Sequence, residues 1–380
     1  MKKISVLFIV LFVLFLFSCK IKPTKKNIEK STENSLLKQT KPLKGEITLE
    51  LEKVLSFDLT KSNPAVLVVN KVLKGEEGYY FTNIKDVKIF KYDKNGKFVR
   101  EFLRKGQGPG ELPYLMNAKF INNSIYALFM NKVIKFDKNG KLIFQKQFNA
   151  RYYPIDIVDD NRVICEKFNM AAVDGDNKEL KIIEIFDIKE EKPVKIAGTE
   201  FAGQITIKKG GGYVSFTVPA LSPGIVWTYD KKNKRLYYAN SNEYKITAMN
   251  TKGEKLFDFG KEFKPIAVDM KIINEQFGGM DKNSLESIRK RLPEHIMPIG
   301  KIKILASGNI AVYNEFAEAK ESGIDIFDSK GNYIYRIKIP ENLSLADFHF
   351  LKDGSIGFIE EKPERVIFTE YRVKKPENVF

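Results

Sequence analysis

Residues 87–111 read VKIFKYDKNGKFVREFLRKGQGPGE. Apolar or aromatic side chains stand at Ile89, Tyr92, Phe98 and Phe102, on either side of Asp93-Lys94-Asn95-Gly96. Alternation with a period of two is the pattern of a half-buried strand. Asn-Gly between two such runs signals a hairpin, and a type I′ turn with positive φ at both central residues is expected there.

The same pattern recurs down the chain. It returns as VIKFDKNGKLIFQKQF at 133–148, IIEIFDIKEEKPVKIAG at 182–198, YKITAMNTKGEKLFDFG at 244–260 and GIDIFDSKGNYIYRIKI at 323–339, with a half-length copy, RVIFTEYRV, at 365–373. The turn-opening residues are Asp93, Asp137, Asp187, Asn250, Asp328 and Tyr371, spaced by 44, 50, 63, 78 and 43. The two wide gaps require insertions, at 201–224 and 261–300. Most copies follow another short hairpin, such as NNSIYALF at 122–129 or SGNIAVY at 307–313. Each unit therefore amounts to four strands. A period of about 40 to 50 residues with four strands per unit is the mark of propeller blades.

The expected fold is all-β, a six-bladed β-propeller with four-stranded blades and a short helical insertion. The last copy lacks a fourth strand, and GEITLELEKVLSFDL at 45–59 is a strand without a hairpin partner. Its pairing into the C-terminal blade would close the ring and remove open sheet edges. Two stacked all-β domains would be the alternative, but no linker interrupts the repeats.

The N-terminus opens with Lys2 and Lys3, an apolar run from Ile4 to Phe17, then Ser18-Cys19. This is the layout of a secretory signal at 1–18. Leu16-Phe17-Ser18-Cys19 resembles the lipobox of bacterial lipoproteins, with Phe17 bulkier than usual. The resemblance implies lipidation of Cys19, export, and a membrane anchor in the cell envelope, at the outer membrane facing the periplasm or the surface. Residues 20–44 are polar and lysine-rich without sustained periodicity, which suits a disordered tether after Cys19; the propeller is expected over 45–380. The formal charge of +16 falls to +14 without residues 1–18. Charge of that sign attracts anionic surfaces, but export argues against nucleic acid as a partner. The second cysteine, Cys165, reads as a small buried hydrophobe on a strand.

At 102–128 the chain resembles NHL-type propeller repeats, and GQGPGE resembles the hallmark of a group of bacterial six-bladed propeller lipoproteins. The resemblance covers 45–380 and implies fold and location. Gly106, Gly108 and Gly110 permit tight crossing between blades, and Pro109 fixes φ. Arg104, Lys105, Gln107 and Glu111 are candidate ligand contacts at a channel mouth.

Within 261–300, one helix is expected around Leu285, Ile288 and Leu292, capped by Asn283 with Glu286 three residues on. Its other face carries Arg289, Lys290 and Arg291, of which Arg289 and Arg291 are binding candidates. Both insertions are expected to build a rim on one face of the disc.

The motifs HExxH, GxSxG, Walker A and CxxC are all absent. His295 and His349 fit no triad or metal spacing and read as structural. Other six-bladed propellers are calcium-dependent lactonases or esterases, so Ca2+ is a candidate cofactor. Glu166, Asn169, Asp269 and Asn314 are available ligand types, and no pattern in the sequence selects a metal site. The expectation is a monomeric, non-catalytic module binding a glycan, peptide or protein partner in the envelope. A metal-dependent propeller hydrolase is the alternative.

Overall fold

The computed structural model describes residues 35–149, 152–168, 181–199, 205–209, 212–216, 225–240, 243–277, 281–289, 294–296, 298–314, 323–338, 349–351 and 353–374. The signal segment, Cys19 and residues 20–34 lie outside them.

Two strands precede the first blade, β1 (Glu46–Thr48) and β2 (Leu51–Asp58). Blade 1 is β3 (Lys71–Gly75), β4 (Gly78–Asn83), β5 (Lys88–Asp93) and β6 (Phe98–Phe102). The connector after it carries the two-residue strands β7 (Arg104–Lys105) and β8 (Glu111–Leu112). Blade 2 is β9 (Asn117–Ile121), β10 (Ser124–Phe129), β11 (Lys132–Asp137) and β12 (Leu142–Gln147). Blade 3 is β13 (Tyr152–Ile157), β14 (Arg162–Phe168), β15 (Lys181–Asp187) and β16 (Pro193–Thr199). A hairpin, β17 (Ile205–Lys209) with β18 (Gly212–Phe216), follows it. Blade 4 is β19 (Ile225–Asp230), β20 (Arg235–Asn240), β21 (Lys245–Asn250) and β22 (Lys255–Gly260). Two helices follow, α1 (Met270–Phe277) and α2 (Lys282–Arg289). Blade 5 is β23 (Lys301–Ile304), β24 (Ile310–Asn314), β25 (Gly323–Phe327) and β26 (Tyr333–Lys338). Blade 6 has three C-terminal strands, β27 (His349–Phe350), β28 (Ile356–Lys362) and β29 (Arg365–Val373).

The fourth strand of blade 6 is β2, antiparallel to β29 with Leu51 opposite Val373 and Asp58 opposite Ile367. The ring closes through the N-terminal strand, as expected. The stretch divides, however: β1 lies parallel to β26, Glu46 beside Arg336, and adds a fifth strand to blade 5.

Six buried apolar clusters occupy the six interfaces between neighbouring blades. The middle strands are covered on both sides, so β4 and β25 are buried along their whole length. The outermost strand has only one covered face, and LIFQKQ of β12 alternates accordingly. The closing interface is aromatic: Phe368 packs against Phe57, Tyr79 and Phe81 at centroid distances of 5.2, 5.0 and 5.2 Å. Cys165 is fully buried between blades 2 and 3; burial pushes its thiol far above the ordinary range, which holds it protonated and inert.

The repeated turn differs from the expected type I′. At 93–97, Gly96 has φ +80° and Asn95 is not left-handed. Asp93 N donates to Lys97 O, Gly96 N donates to Asp93 O, and the register slips between Lys91 and Tyr92. This is a type I turn with a glycine bulge, one residue longer than a type I′ hairpin. Asp93 Oδ1 selects it by accepting the amides of Asn95 and Lys97, both at 2.9 Å. Asp137 and Asp328 repeat that pair of bonds.

The tether reading, 20–44, meets an ordered stretch from residue 35. Gln39 Nε2 donates to the carbonyls of Leu36, Gly260 and Gly331 at 2.7, 3.0 and 2.9 Å, and its Oε1 accepts Tyr333 N at 2.7 Å. One amide side chain thus pins this segment between blades 4 and 5.

The insertion 261–300 holds two helices where one was expected. Asp281, not Asn283, precedes the first residue of α2, and Leu285 N donates to Asp281 O at 3.0 Å. Asp269 stands in the same position before α1. Leu292, Lys290, Arg291 and Pro293 lie outside the described residues. α2 lies beside α1 and beside β17, so the two insertions meet.

Candidate functional site

The first strand of each blade lines the axis of the disc. A cavity of about 400 Å³ sits there, with lining residues from all six blades. Ring closure alone brings these positions together. The lining is basic: Lys71 and Lys74 from blade 1, Lys119 from blade 2 and Lys303 from blade 5 join His349 from blade 6. Asp156 is the one carboxylate among the described residues of the lining, and Lys119 already holds it at 2.9 Å. Lys301 stands two residues before Lys303 on the same strand and over the Tyr313 ring.

Lys71 Nζ donates to Asn117 Oδ1 at 2.8 Å and to the Ala118 carbonyl at 3.1 Å. Asn117 Nδ2 in turn donates to the Ile155 carbonyl at 2.9 Å, linking the inner strands of blades 1, 2 and 3. Protein surrounds Lys71, though part of its surface meets the cavity. Burial lowers its ammonium to about 7, helped by repulsion from Lys119, Lys303 and Lys301. Burial, with Lys303, Lys301 and Lys71 nearby, holds His349 down to about 4. Both shifts record excess positive charge in a poorly solvated space. An anion placed there relieves both.

Such a lining does not fit Ca2+, which takes six to eight oxygen ligands and favours carboxylates. Among the described residues no group of three or more His, Cys, Asp or Glu is placed to share a metal ion. The oxygen ligands considered from sequence do not converge: Glu166 is mid-strand in β14, Asn314 ends β24 and Asp269 precedes α1. Asn169 lies outside the described residues.

Antiparallel blades place the connectors between blades on one face and the turns between first and second strands on the other. The cavity reaches the second face, at Leu305, Ala306 and Gly354. The residues singled out from the GQGPGE loop and the helical insertion belong to connectors, and none lines the cavity. Arg104, Lys105, Gln107 and Arg289 are exposed; Arg291 is outside the described residues.

Glu111 is turned into its own loop. Its Oε2 accepts Gly108 N at 3.0 Å, and a Cβ at Gly106 would lie 2.1 Å from that oxygen. Gly110 has φ +73°, and Pro109 is exposed at the tip. GQGPGE is therefore a connector folded around a carboxylate, and this explains its glycines.

On the cavity face, Lys74 bonds Asp353 and Glu370, each at 2.7 Å, and Glu370 also accepts the Tyr79 hydroxyl. This network ties blade 1 to blade 6 beside the channel. His295, exposed in the insertion, forms an isolated bridge with Ala267.

The channel lysines and His349 were missed as a site from sequence. The signal that carries them is a polar residue or lysine alternating with apolar residues at the first strand of a unit, as in Asn117-Ala-Lys119-Phe and Lys301-Ile-Lys303-Ile.

No family model matches the chain, and no curated protein matches it. Solved structures do. A member of the DUF4221 family from Bacteroides vulgatus superposes with a TM-score of 0.53 at 12% identity, over 86% of this chain and 99% of its own. A Bacteroides fragilis protein whose name assigns it to export gives 0.50 at 14% identity, over 89% and 99%. At such identities the likeness concerns the fold: the chain is a six-bladed β-propeller with structural neighbours in Bacteroides.

Proposed function

We propose that this protein is a non-catalytic binding propeller, tethered in the bacterial cell envelope through lipidated Cys19, whose central channel takes an anionic group of its ligand. The observation that carries the reading is the cavity on the axis, where four lysines and a histidine from four blades face one lining carboxylate that is already paired. Buried like charges destabilise a fold, and a ligand of opposite sign gives their convergence a purpose. The ligand is a glycan, peptide or protein segment bearing carboxylate, sulfate or phosphate. The signal segment, the lipobox-like residues before Cys19 and the GQGPGE resemblance support the envelope location. Arg104, Lys105 and Gln107 remain available to a larger partner on the connector face.

Calorimetric titration of the full-length protein with glucuronate, phosphate, sulfate and neutral glucose tests the reading. The anions bind and glucose does not, and affinity falls with added chloride. Lys303→Met weakens anion binding by about 10- to 100-fold, the worth of one hydrogen bond to a charged group. Equal binding of glucose and glucuronate, or none of either, would contradict it.

A further inference from the structure

The setting of Lys71 suits a neutral amine. Its two hydrogen bonds run to uncharged oxygens, Asn117 Oδ1 and Ala118 O, both on β9. A neutral amine has two N–H groups and one lone pair, so these acceptors use both donors. Lys71 also lines the channel cavity. Burial opposes protonation, as do Lys119, Lys303 and Lys301, while Asp156 favours it. With its ammonium at about 7, roughly half of Lys71 is free amine at neutral pH, about a thousandfold above an ordinary lysine. Desolvation and cationic neighbours are the two means by which proteins make lysine a nucleophile.

We propose that Lys71 captures carbonyl-bearing anions, 2-oxo acids and aldehydic sugar acids, as a reversible imine inside the channel. This rests on the anion-binding reading, since Lys303 and the other cationic groups of the lining hold the carboxylate while the carbonyl meets Nζ. The nitrogen lone pair attacks the carbonyl carbon and the π pair moves onto oxygen. A proton passes from nitrogen to that oxygen, giving a carbinolamine. Water then leaves with the C–O bonding pair as the C=N bond forms. No oxidant or reductant takes part, and addition of water releases the ligand. His349, neutral at neutral pH, lines the same cavity and can carry the proton.

The test incubates full-length protein in detergent with pyruvate at pH 7, adds sodium borohydride, and maps adducts by peptide mass spectrometry. One reduced adduct is expected on the peptide holding Lys71, at least about tenfold above any other lysine, given its larger free-amine fraction. Excess sulfate suppresses it. Lys71→Arg, checked by thermal melting to be folded, loses the adduct. Adducts spread evenly over surface lysines, or none at Lys71, overturn the proposal. If sulfate still binds by calorimetry in that case, the imine fails and the anion-binding reading stands. If sulfate does not bind either, both fail.

Discussion

Replacing Lys71 by Met should stabilise the protein near pH 6 and cease to do so near pH 10. In the folded state the ammonium titrates at about 7, against an ordinary value of 10.5. Between those values the unfolded chain holds a proton that the folded chain has released, so stability rises with pH across that window. Below pH 7 the penalty is fully present, and 3.5 units correspond to at most about 5 kcal/mol. Methionine removes the penalty but forfeits two hydrogen bonds worth about 1 kcal/mol each. Asn117 Oδ1 retains a donor in Ala118 N, so it is not orphaned. The net expectation is a gain of about 3 kcal/mol at pH 6 and, because about 1 kcal/mol of the penalty persists at pH 10, a loss of about 1 kcal/mol there. For a domain of this size that is a rise of about 4 °C at pH 6 and a smaller fall at pH 10. Thermal melts of both proteins from pH 6 to pH 10, in chloride buffers without oxyanions, read it out. Parallel curves, with the same difference at every pH, would refute the claim that Lys71 is held in an unfavourable charge state.

Three other outcomes follow from the same structure. His349 is depressed to about 4 from 6.5, so it costs the fold up to about 3 kcal/mol as pH falls through that interval; His349→Gln should flatten that part of the acid melt. Phe368→Ala empties the centre of the closing interface, where Phe368 is fully buried. It should cost about 3 to 5 kcal/mol in a denaturant titration. Gly96→Ala should cost roughly 2 kcal/mol in the same assay, because φ is +80° and the added Cβ would lie 2.5 Å from Phe57 Cγ.

Most of the fold was legible because its determinants are local. Alternation and Asp-x-Asn-Gly turns are written within some fifteen residues, and the unpaired strand at 45–59 announced the closure. The turn subtype was misread because Asn-Gly alone does not count the loop; the extra bulged residue is chosen by the Asp93 carboxylate three positions earlier. The first helix, MKIINEQF at 270–277, was missed because eight residues give little periodicity and Asp269 lacks a Glu or Gln partner three residues on. The site was illegible for a different reason. Lys71, Lys119, Lys303 and His349 are far apart in the chain, and each alone resembles one more surface charge in a lysine-rich protein. Ring closure makes them neighbours. The conspicuous motif, GQGPGE, turned out to fold around its own Glu111, at a distance from the cavity lining.

The central claim is that the channel is an anion site. Diffraction from crystals grown in selenate, recorded at the selenium absorption edge, tests it most directly. The account predicts an anomalous peak on the axis, within hydrogen-bond distance of Lys303 Nζ, that disappears in Lys303→Met crystals. A channel without such a peak, while selenate occupies only surface lysines, would contradict it.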